Sequence, residues 1–385
     1  MASVRLGIIG LGNMGGGHAN NVVSGKVSRC ELTAVCDRNE SRRLRIPETK
    51  AFARAQDLME SRLVDAVLIA TPHFSHTTIG IDALRQGLHV LVEKPISAHK
   101  ADCERLLATH TNPKQVFAAM LQQRTDPYYQ KVRELVRDGE LGEVRRVNWI
   151  ITNWFRTDAY YASSDWRATW AGEGGGVLLN QCLHNLDLIQ WIIGMPATVR
   201  GFCRFGRYHD IEVEDDVTAY FEYPNGATAV FVTSTGEAPG TNRLEVAGER
   251  GRLVYENDTL TFTRNEVPMS EFSATSHDHF TAPPTTEHKL AFPDHGGQHV
   301  EMLQNFVDAI LDSKPLIAPA AEGIHSVELA NAIVFSSAQN TSVTLPVDAA
   351  AYEEYLNRNI ANSRFKKKVA AEAPLSRDFT RSSKP

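Results

Sequence analysis

The stretch Val4-Arg5-Leu6-Gly7-Ile8-Ile9-Gly10-Leu11-Gly12-Asn13-Met14-Gly15 decides the fold. It opens with a short apolar run of strand type, and a helix-compatible segment follows the glycines to about Val23. A G-x-G-x-x-G pattern between a strand and a helix has a physical reading. Gly10 permits the tight turn, Gly12 lets the backbone approach a pyrophosphate, and Gly15 lets helix pack on strand. The helix N-terminus then faces the diphosphate, which makes Asn13 and Met14 candidate contacts as well.

Working outward, strands are expected at 32–36, 66–70, 90–93 and 115–120, with helices between them, one over 77–86 stopped by Gly87 and one ending near Leu107. Strands alternating with helices of this length imply a parallel sheet with right-handed crossovers. Asp37 closes the second strand, 22 positions after Gly15, and suits the adenosine ribose hydroxyls. Its charge repels a 2′-phosphate and favours NAD. Arg38, with Arg42 and Arg43 beyond, offers the alternative, NADP; exposed helix arginines with no specific task are the plainer reading of the last two.

The run Val90-Leu91-Val92-Glu93-Lys94-Pro95 places a lysine where an apolar strand ends. That end of a strand is where open α/β sheets bind ligands. A lysine is costly to bury there without a partner or a task.

Bulk properties bound the function. With 385 residues, 42% hydrophobic and 22% charged, the chain has ordinary globular composition and length for two domains. The net charge of −6 gives no basic field for nucleic acid. No apolar stretch approaches a membrane span, and Met1-Ala2-Ser3-Val4-Arg5 lacks the pattern of a signal peptide. Five cysteines without a C-x-x-C pair fit reduced thiols in a cytoplasmic protein.

After about residue 120 the alternation stops. A helix over 128–137 leads to strand-like runs at 144–152, 197–205, 217–223, 227–235, 243–247, 251–255 and 259–263, with a hairpin turn at Pro224-Asn225-Gly226. Successive strands suggest a largely antiparallel open sheet whose exposed face could cover a second copy. Residues 265–297 read as irregular. Their histidines and His299 fit no metal pattern, so no metal is expected; His295, beside Gly296-Gly297, is the one with a potential place at the cleft. Helices return at 298–311 and 320–340. From Ser363 to Pro385, seven basic residues and two acids give +5, a solvated or partner-wrapping arm.

Gly172-Glu173-Gly174-Gly175-Gly176 breaks the chain, and the spacing then predicts a buried helix over 177–193. On it Asn180, His184 and Asp187 fall at i, i+4 and i+7, a polar stripe on an apolar helix that requires partners. His184 is the candidate proton acceptor. The segment 154–170 holds Trp154, Arg156, Tyr160, Tyr161, Trp166, Arg167 and Trp170. Its aromatic faces suit sugar C–H surfaces, with Tyr160 and Arg167 the first choices for substrate binding; tryptophans that simply fill the core are the alternative.

Taken together, the Gly10-to-Gly15 fingerprint, Glu93-Lys94-Pro95 and the segment Gly174-Gly175-Gly176…Asn180…His184…Asp187 resemble the Gfo/Idh/MocA oxidoreductases. Weaker matches at Thr71-Pro72-His73-Phe74-Ser75-His76, Tyr128-Tyr129-Gln130-Lys131 and Pro315-Leu316-Ile317 extend the likeness from Val4 to about Leu356. The resemblance implies a Rossmann dinucleotide-binding domain over 1–122 and an α/β substrate-binding and oligomerisation domain over 123–360, with a basic tail over 361–385. It implies cofactor contacts at Thr71, Pro72, His76, Glu93, Lys94 and Gln122 besides the fingerprint residues, Asp37 and Arg38. Its reacting set falls on Lys94, Asn180 and His184, which also contact substrate. Relatives often carry Asp at position 180; an amide there cannot take a proton.

The expected activity is oxidation of a secondary hydroxyl of a sugar, glycoside or polyol by NAD or NADP, with C3 of a pyranoside the candidate carbon. His184 takes the hydroxyl proton and Lys94 hydrogen-bonds the same oxygen. Asp187 orients His184 or forms a salt bridge elsewhere. A redox-neutral glycosidase working through a 3-keto intermediate and a non-enzymatic NAD sensor are the alternatives. The partners expected are a small carbohydrate and further copies of the chain, as a dimer or tetramer, with no nucleic acid and no membrane.

Overall fold

The computed structural model describes residues 2–363, so the basic segment beyond Ser363 lies outside the described residues. Six strands form the first sheet: β1 (Val4–Ile9), β2 (Cys30–Cys36), β3 (Lys50–Phe52), β4 (Ala66–Ile69), β5 (His89–Val92) and β6 (Phe117–Ala119). They lie in the order β3-β2-β1-β4-β5-β6 and every neighbouring pair is parallel. All four residues of β4 are buried, as expected of a strand covered on both faces. The order reverses between β1 and β4, and a ligand crevice belongs at the carboxyl ends of those strands. Gly10 and Thr71 sit there.

Nine strands form the second sheet: β7 (Val144–Ile151), β8 (Thr198–Phe205), β9 (Glu214–Glu222), β10 (Thr228–Ser234), β11 (Asn242–Gly248), β12 (Gly251–Glu256), β13 (Thr259–Asn265), β14 (Thr285–Leu290) and β15 (Val343–Thr344). The order is β14-β13-β12-β11-β7-β10-β9-β8-β15, antiparallel throughout except for β7 beside β10. Side chains alternate. Val199, Phe221, Phe231, Trp149 and Leu244 are buried on one face, where the helix Gly323–Gln339 packs against β8. On the other face Phe202, Thr218, Val232 and Ile150 lie in one cross-strand row, open to solvent.

Three local expectations change. Residues 265–297 are not all irregular: they contain the helix Met269–Thr275 and the strand β14. β14 pairs only with β13 and is almost wholly exposed, so no buried face gave it a hydrophobic pattern. A helix at Ala349–Asn362, which the sequence reading did not single out, packs on the helix Lys100–Thr109. Finally, the helix expected over 177–193 begins only at Leu183 and runs Leu183–Ile193. The Val177 amide pairs with the Glu214 carbonyl, and the Asn180 carbonyl accepts from the Lys94 ammonium at 2.8 Å. Lys94 thus occupies the acceptor that a continuous helix would offer to His184. Asn180 therefore sits in a turn ahead of the helix, off the polar stripe assigned to it.

Candidate active site

A cleft of about 1570 Å³ opens at the carboxyl ends of β1, β4 and β5. It exceeds a drug-sized pocket and has room for a dinucleotide beside a small substrate. Gly10, Gly12, Asn13 and Met14 line it. Gly10 has φ +95°, and a Cβ on Gly15 would lie 1.8 Å from the Gly10 carbonyl oxygen, which is the close helix–strand packing expected of that position. Gly15 itself is not on the wall. A Cβ on Gly12 would meet nothing within 4 Å, so the backbone is open to the cleft at that point. No side chain caps the helix Asn13–Val23, leaving its first amides to an anionic ligand. The hydroxyl of Thr71 is buried on the same wall without a partner among the described residues. These features fit a dinucleotide.

Asp37 lies on the wall and accepts from the Leu11 amide at 2.7 Å and the Asn39 amide at 2.8 Å, with Arg42 3.7 Å away. Arg38, Arg42, Arg45 and Arg54 line this end of the cleft; Arg43 turns inward to the carbonyls of Asp37 and Arg38. Pro72 and His76 are also on the wall. The His76 ring spans the carbonyls of Thr71 and Pro95, each at 2.7 Å, and so holds the ends of β4 and β5 together.

At the far end Glu93 and Lys94 follow β5 and reach the wall. Glu93 is buried; its Oε1 lies 2.6 Å from His18 Nε2. Burial pushes its carboxyl up, but the His18 hydrogen bond and the charges of His18, His299 and Lys94 outweigh that and hold it at about 2. Burial pushes the Lys94 ammonium below its ordinary value, against the opposing charges of Glu93 and Glu173. Lys94 Nζ lies 3.5 Å from the Asn180 side-chain oxygen in addition to its bond with the Asn180 carbonyl. Asn180 in turn donates from Nδ2 to Glu173 Oε1.

His184 is 4% exposed and stands behind the wall rather than on it. Its Nε2 is 3.1 Å from Gln122 Nε2, and its Nδ1 has no partner among the described residues. Burial, then the charge of Lys94, hold the imidazole well below the ordinary histidine range, so it is neutral at neutral pH and able to accept a proton. Gln122, placed at the cofactor by the resemblance, is likewise off the wall. Asp187 does not orient His184; it forms a two-point pair with Arg124, at 2.8 and 2.6 Å.

Of the aromatic segment, Tyr160, Trp166 and Arg167 line the cleft. Arg167 donates to the Tyr160 hydroxyl at 2.6 Å and stacks over its ring. Trp154, Tyr161 and Trp170 are buried in the core instead. His295 is not on the wall; it is 2.8 Å from Asp126 and 3.4 Å from Asp258. Among the described residues, His99, Asp102 and Glu353 form the one group with metal-ligand proximity, but Arg105 already binds both carboxylates. The sequence reading missed Glu173, taken there as part of a glycine break. A carboxylate between glycines, ahead of a buried segment, was the available signal.

Comparison with known proteins agrees with this geometry. Residues 4–120 match the model of the oxidoreductase family with an NAD-binding Rossmann fold, and residues 129–254 match the GFO/IDH/MocA C-terminal domain. The chain belongs to the GFO/IDH/MocA oxidoreductase family. Inositol 2-dehydrogenase of Rhizobium meliloti (strain 1021) is 25% identical over 350 residues, 89% of this chain and 99% of that protein. Myo-inositol 2-dehydrogenase of Thermotoga maritima is 26% identical over 266 residues, 66% and 75% of the two chains. The WlbA dehydrogenase of Bordetella pertussis, solved with NADH and UDP-GlcNAcA, shares the fold with a TM-score of 0.75 at 22% identity, over 90% of this chain and all of that one. Levoglucosan dehydrogenase, solved with NADH and levoglucosan, gives 0.75 at 17% identity, over 89% of this chain and all of that one. This family member is an oxidoreductase with NAD as its cofactor.

Proposed function

We propose that this oxidoreductase takes hydride from a secondary hydroxyl of a sugar, glycoside or polyol. Relatives named as inositol dehydrogenases and fold neighbours solved with sugar ligands support that substrate class. The observation that carries the reading is Lys94, a lysine of lowered basicity on the wall beyond the open glycine turn. Bound NAD supplies the hydride acceptor. Lys94 hydrogen-bonds the substrate oxygen and stabilises its developing negative charge. His184, neutral behind it, receives the hydroxyl proton. Tyr160 and Arg167 hold the substrate; Asn180 fixes Lys94.

We further assign the chain to the cytoplasm, in line with its free cysteines, and to a homo-oligomer built on the open face of the second sheet. There Ile150, Phe202 and Tyr220 are 39%, 54% and 38% exposed. No helix among the described residues is long and apolar enough to cross a membrane.

The test is a panel of free hexoses, glycosides and polyols with NAD and with NADP, read by NADH absorbance. Formation of one NADH per sugar or glycoside oxidised is expected, with NAD preferred. A response to myo-inositol but to no sugar or glycoside narrows the substrate to polyols, NADH formation with no member of the panel rejects the reading, and glycoside cleavage without net NADH replaces it by redox-neutral chemistry.

A further inference from the structure

We propose that Glu173 supplies, beside Glu93, a negative charge that balances Lys94 and acts through the side-chain amide of Asn180, so that positions 173 and 180 form a pair in which one, and only one, carries a carboxylate. The proposal makes Glu173 a positioning residue, and it rests on the reading of Lys94 as the group that meets the substrate hydroxyl.

Glu173 is 1% exposed and is not on the cleft wall. Both of its oxygens face donors: Oε1 accepts from Asn180 Nδ2 and Oε2 from the Ala168 amide, with Arg167 Nη1 3.8 Å from Oε1. Burial pushes this carboxyl above its ordinary value, opposed by the Arg167 charge, the Ala168 and Asn180 hydrogen bonds and the Lys94 charge; with only donors facing its oxygens, it functions as an acceptor. Asn180 then turns its other end, Oδ1, toward Lys94 Nζ at 3.5 Å. An amide is suited to this bridge, since it donates to the anion and accepts from the cation at once. An aspartate at position 180 cannot do the same: it would set a second carboxylate at hydrogen-bond distance from Glu173, and one of the two would be held protonated or driven away. The amide at 180 is thus explained by the acid that already stands behind it.

Lys94 has other charged neighbours. Glu93, the residue before it, is the larger opposing charge and Glu173 the next, while Arg167 and Arg156 act against the ammonium. The rings of His73, His76, His184 and His299 all feel the Lys94 charge, each lowered chiefly by burial. The Glu93 carboxylate is shared with His18. Glu173 is therefore the carboxylate that reaches Lys94 through the Asn180 amide, and it is the one the variants below address.

The experiment uses the full chain and the variants E173Q, N180D and E173Q/N180D. The pH midpoint for reductive methylation of Lys94, followed by peptide mass spectrometry without cofactor or substrate, reports the charge balance directly. E173Q should lower that midpoint by about one pH unit, and the double variant should return it to within a few tenths of a unit of the parent. In turnover with the best substrate of the panel, each single variant should lose about tenfold, and the double variant should recover to within about threefold of the parent, a strong non-additivity for side chains in contact. An unchanged midpoint in E173Q, or a double variant whose loss is the product of the single losses, overturns the proposal. Should E173Q fail to fold, N180D decides alone, because turnover at or above the parent level with Glu173 in place contradicts the pairing. Midpoints that move as expected in a protein with no turnover on any substrate would leave the pairing standing and reject the dehydrogenase reading instead.

Discussion

Lys94 meets three demands at once: it ends a buried strand, it faces a cofactor-sized cleft, and it ties down the turn that carries Asn180. Replacing it with alanine removes the substrate-oxygen donor yet leaves the glycine turn and Asp37 in place. K94A should therefore lose at least about a hundredfold in kcat, while the NAD dissociation constant, measured by fluorescence titration, changes less than about threefold. Equal losses in both would place Lys94 in cofactor binding alone. His184 makes a separate demand on pH. Its depressed basicity means that it takes up a proton only below the ordinary histidine value of about 6.5, and proton uptake silences it as an acceptor. The acid limb of kcat/KM is expected below pH 6.5; a limb above that value would exclude His184 as its source. Lys94 was legible in the sequence because a charge at the end of an apolar strand is anomalous within six residues. Glu173 was not, because its significance lies in the Asn180 amide seven positions on, and that contact exists only once the chain between them has turned.

The same distinction governs the elements. β1, the glycine turn and its helix follow from short-range pattern, and so do β7 to β13 of the second sheet, whose buried faces alternate with open ones, whereas the exposed β14 and the two-residue β15 carry no such pattern. The turn ahead of the helix Leu183–Ile193 does not. Its apolar residues have helical spacing, but tertiary partners take over the backbone. Glu214, at the start of β9, is the chief one: its Oε1 accepts from the amides of Gly176 at 2.8 Å and Leu178 at 3.2 Å, while its Oε2 is buried without a partner among the described residues. Burial pushes this carboxyl up to about 7, against the hydrogen bonds it accepts. A folded-state value raised above the unfolded one contributes stability that is fully present below about 4.5 and is lost as the pH rises through 7. E214Q keeps the acceptor oxygen and removes the ionisation. It should match the parent near pH 4 and exceed it by about 3 kcal/mol near pH 8.5, from urea unfolding at the two values. A difference independent of pH would show that Glu214 does not titrate in this range.

On the scale of the whole molecule, the site joins the ends of the first sheet to turns and a helix that follow β7, and something must hold their separation. Arg124 stands in the short turn Gln122–Thr125, which follows β6 of the first sheet. Its guanidinium pairs with Asp187 on the helix Leu183–Ile193, contacts Glu322, and reaches the Ile317 carbonyl at 3.3 Å, so that one side chain joins three distant segments. The pair with Asp187 is buried, with side-chain exposures of 0% and 2%, whereas Glu322 is 43% exposed. Burying two charges costs nearly what their attraction returns, so the net worth of the pair is small; removing one partner, in contrast, leaves a buried charge uncompensated. D187A should therefore cost about 3–5 kcal/mol in urea unfolding. The exposed Glu322 keeps much of its charge in water and cannot take over the balance. Because His184 lies one turn before Asp187 and Gln122 two residues before Arg124, the break should reach the site, lowering kcat with little change in NAD affinity. The double variant R124L/D187L, which removes both charges and keeps apolar volume, should recover most of the stability but not all of the activity, since Glu322 and the Ile317 carbonyl lose their partner. A D187A penalty below about 1 kcal/mol would mean that apolar packing, rather than this guanidinium, sets the spacing between Lys94 and His184.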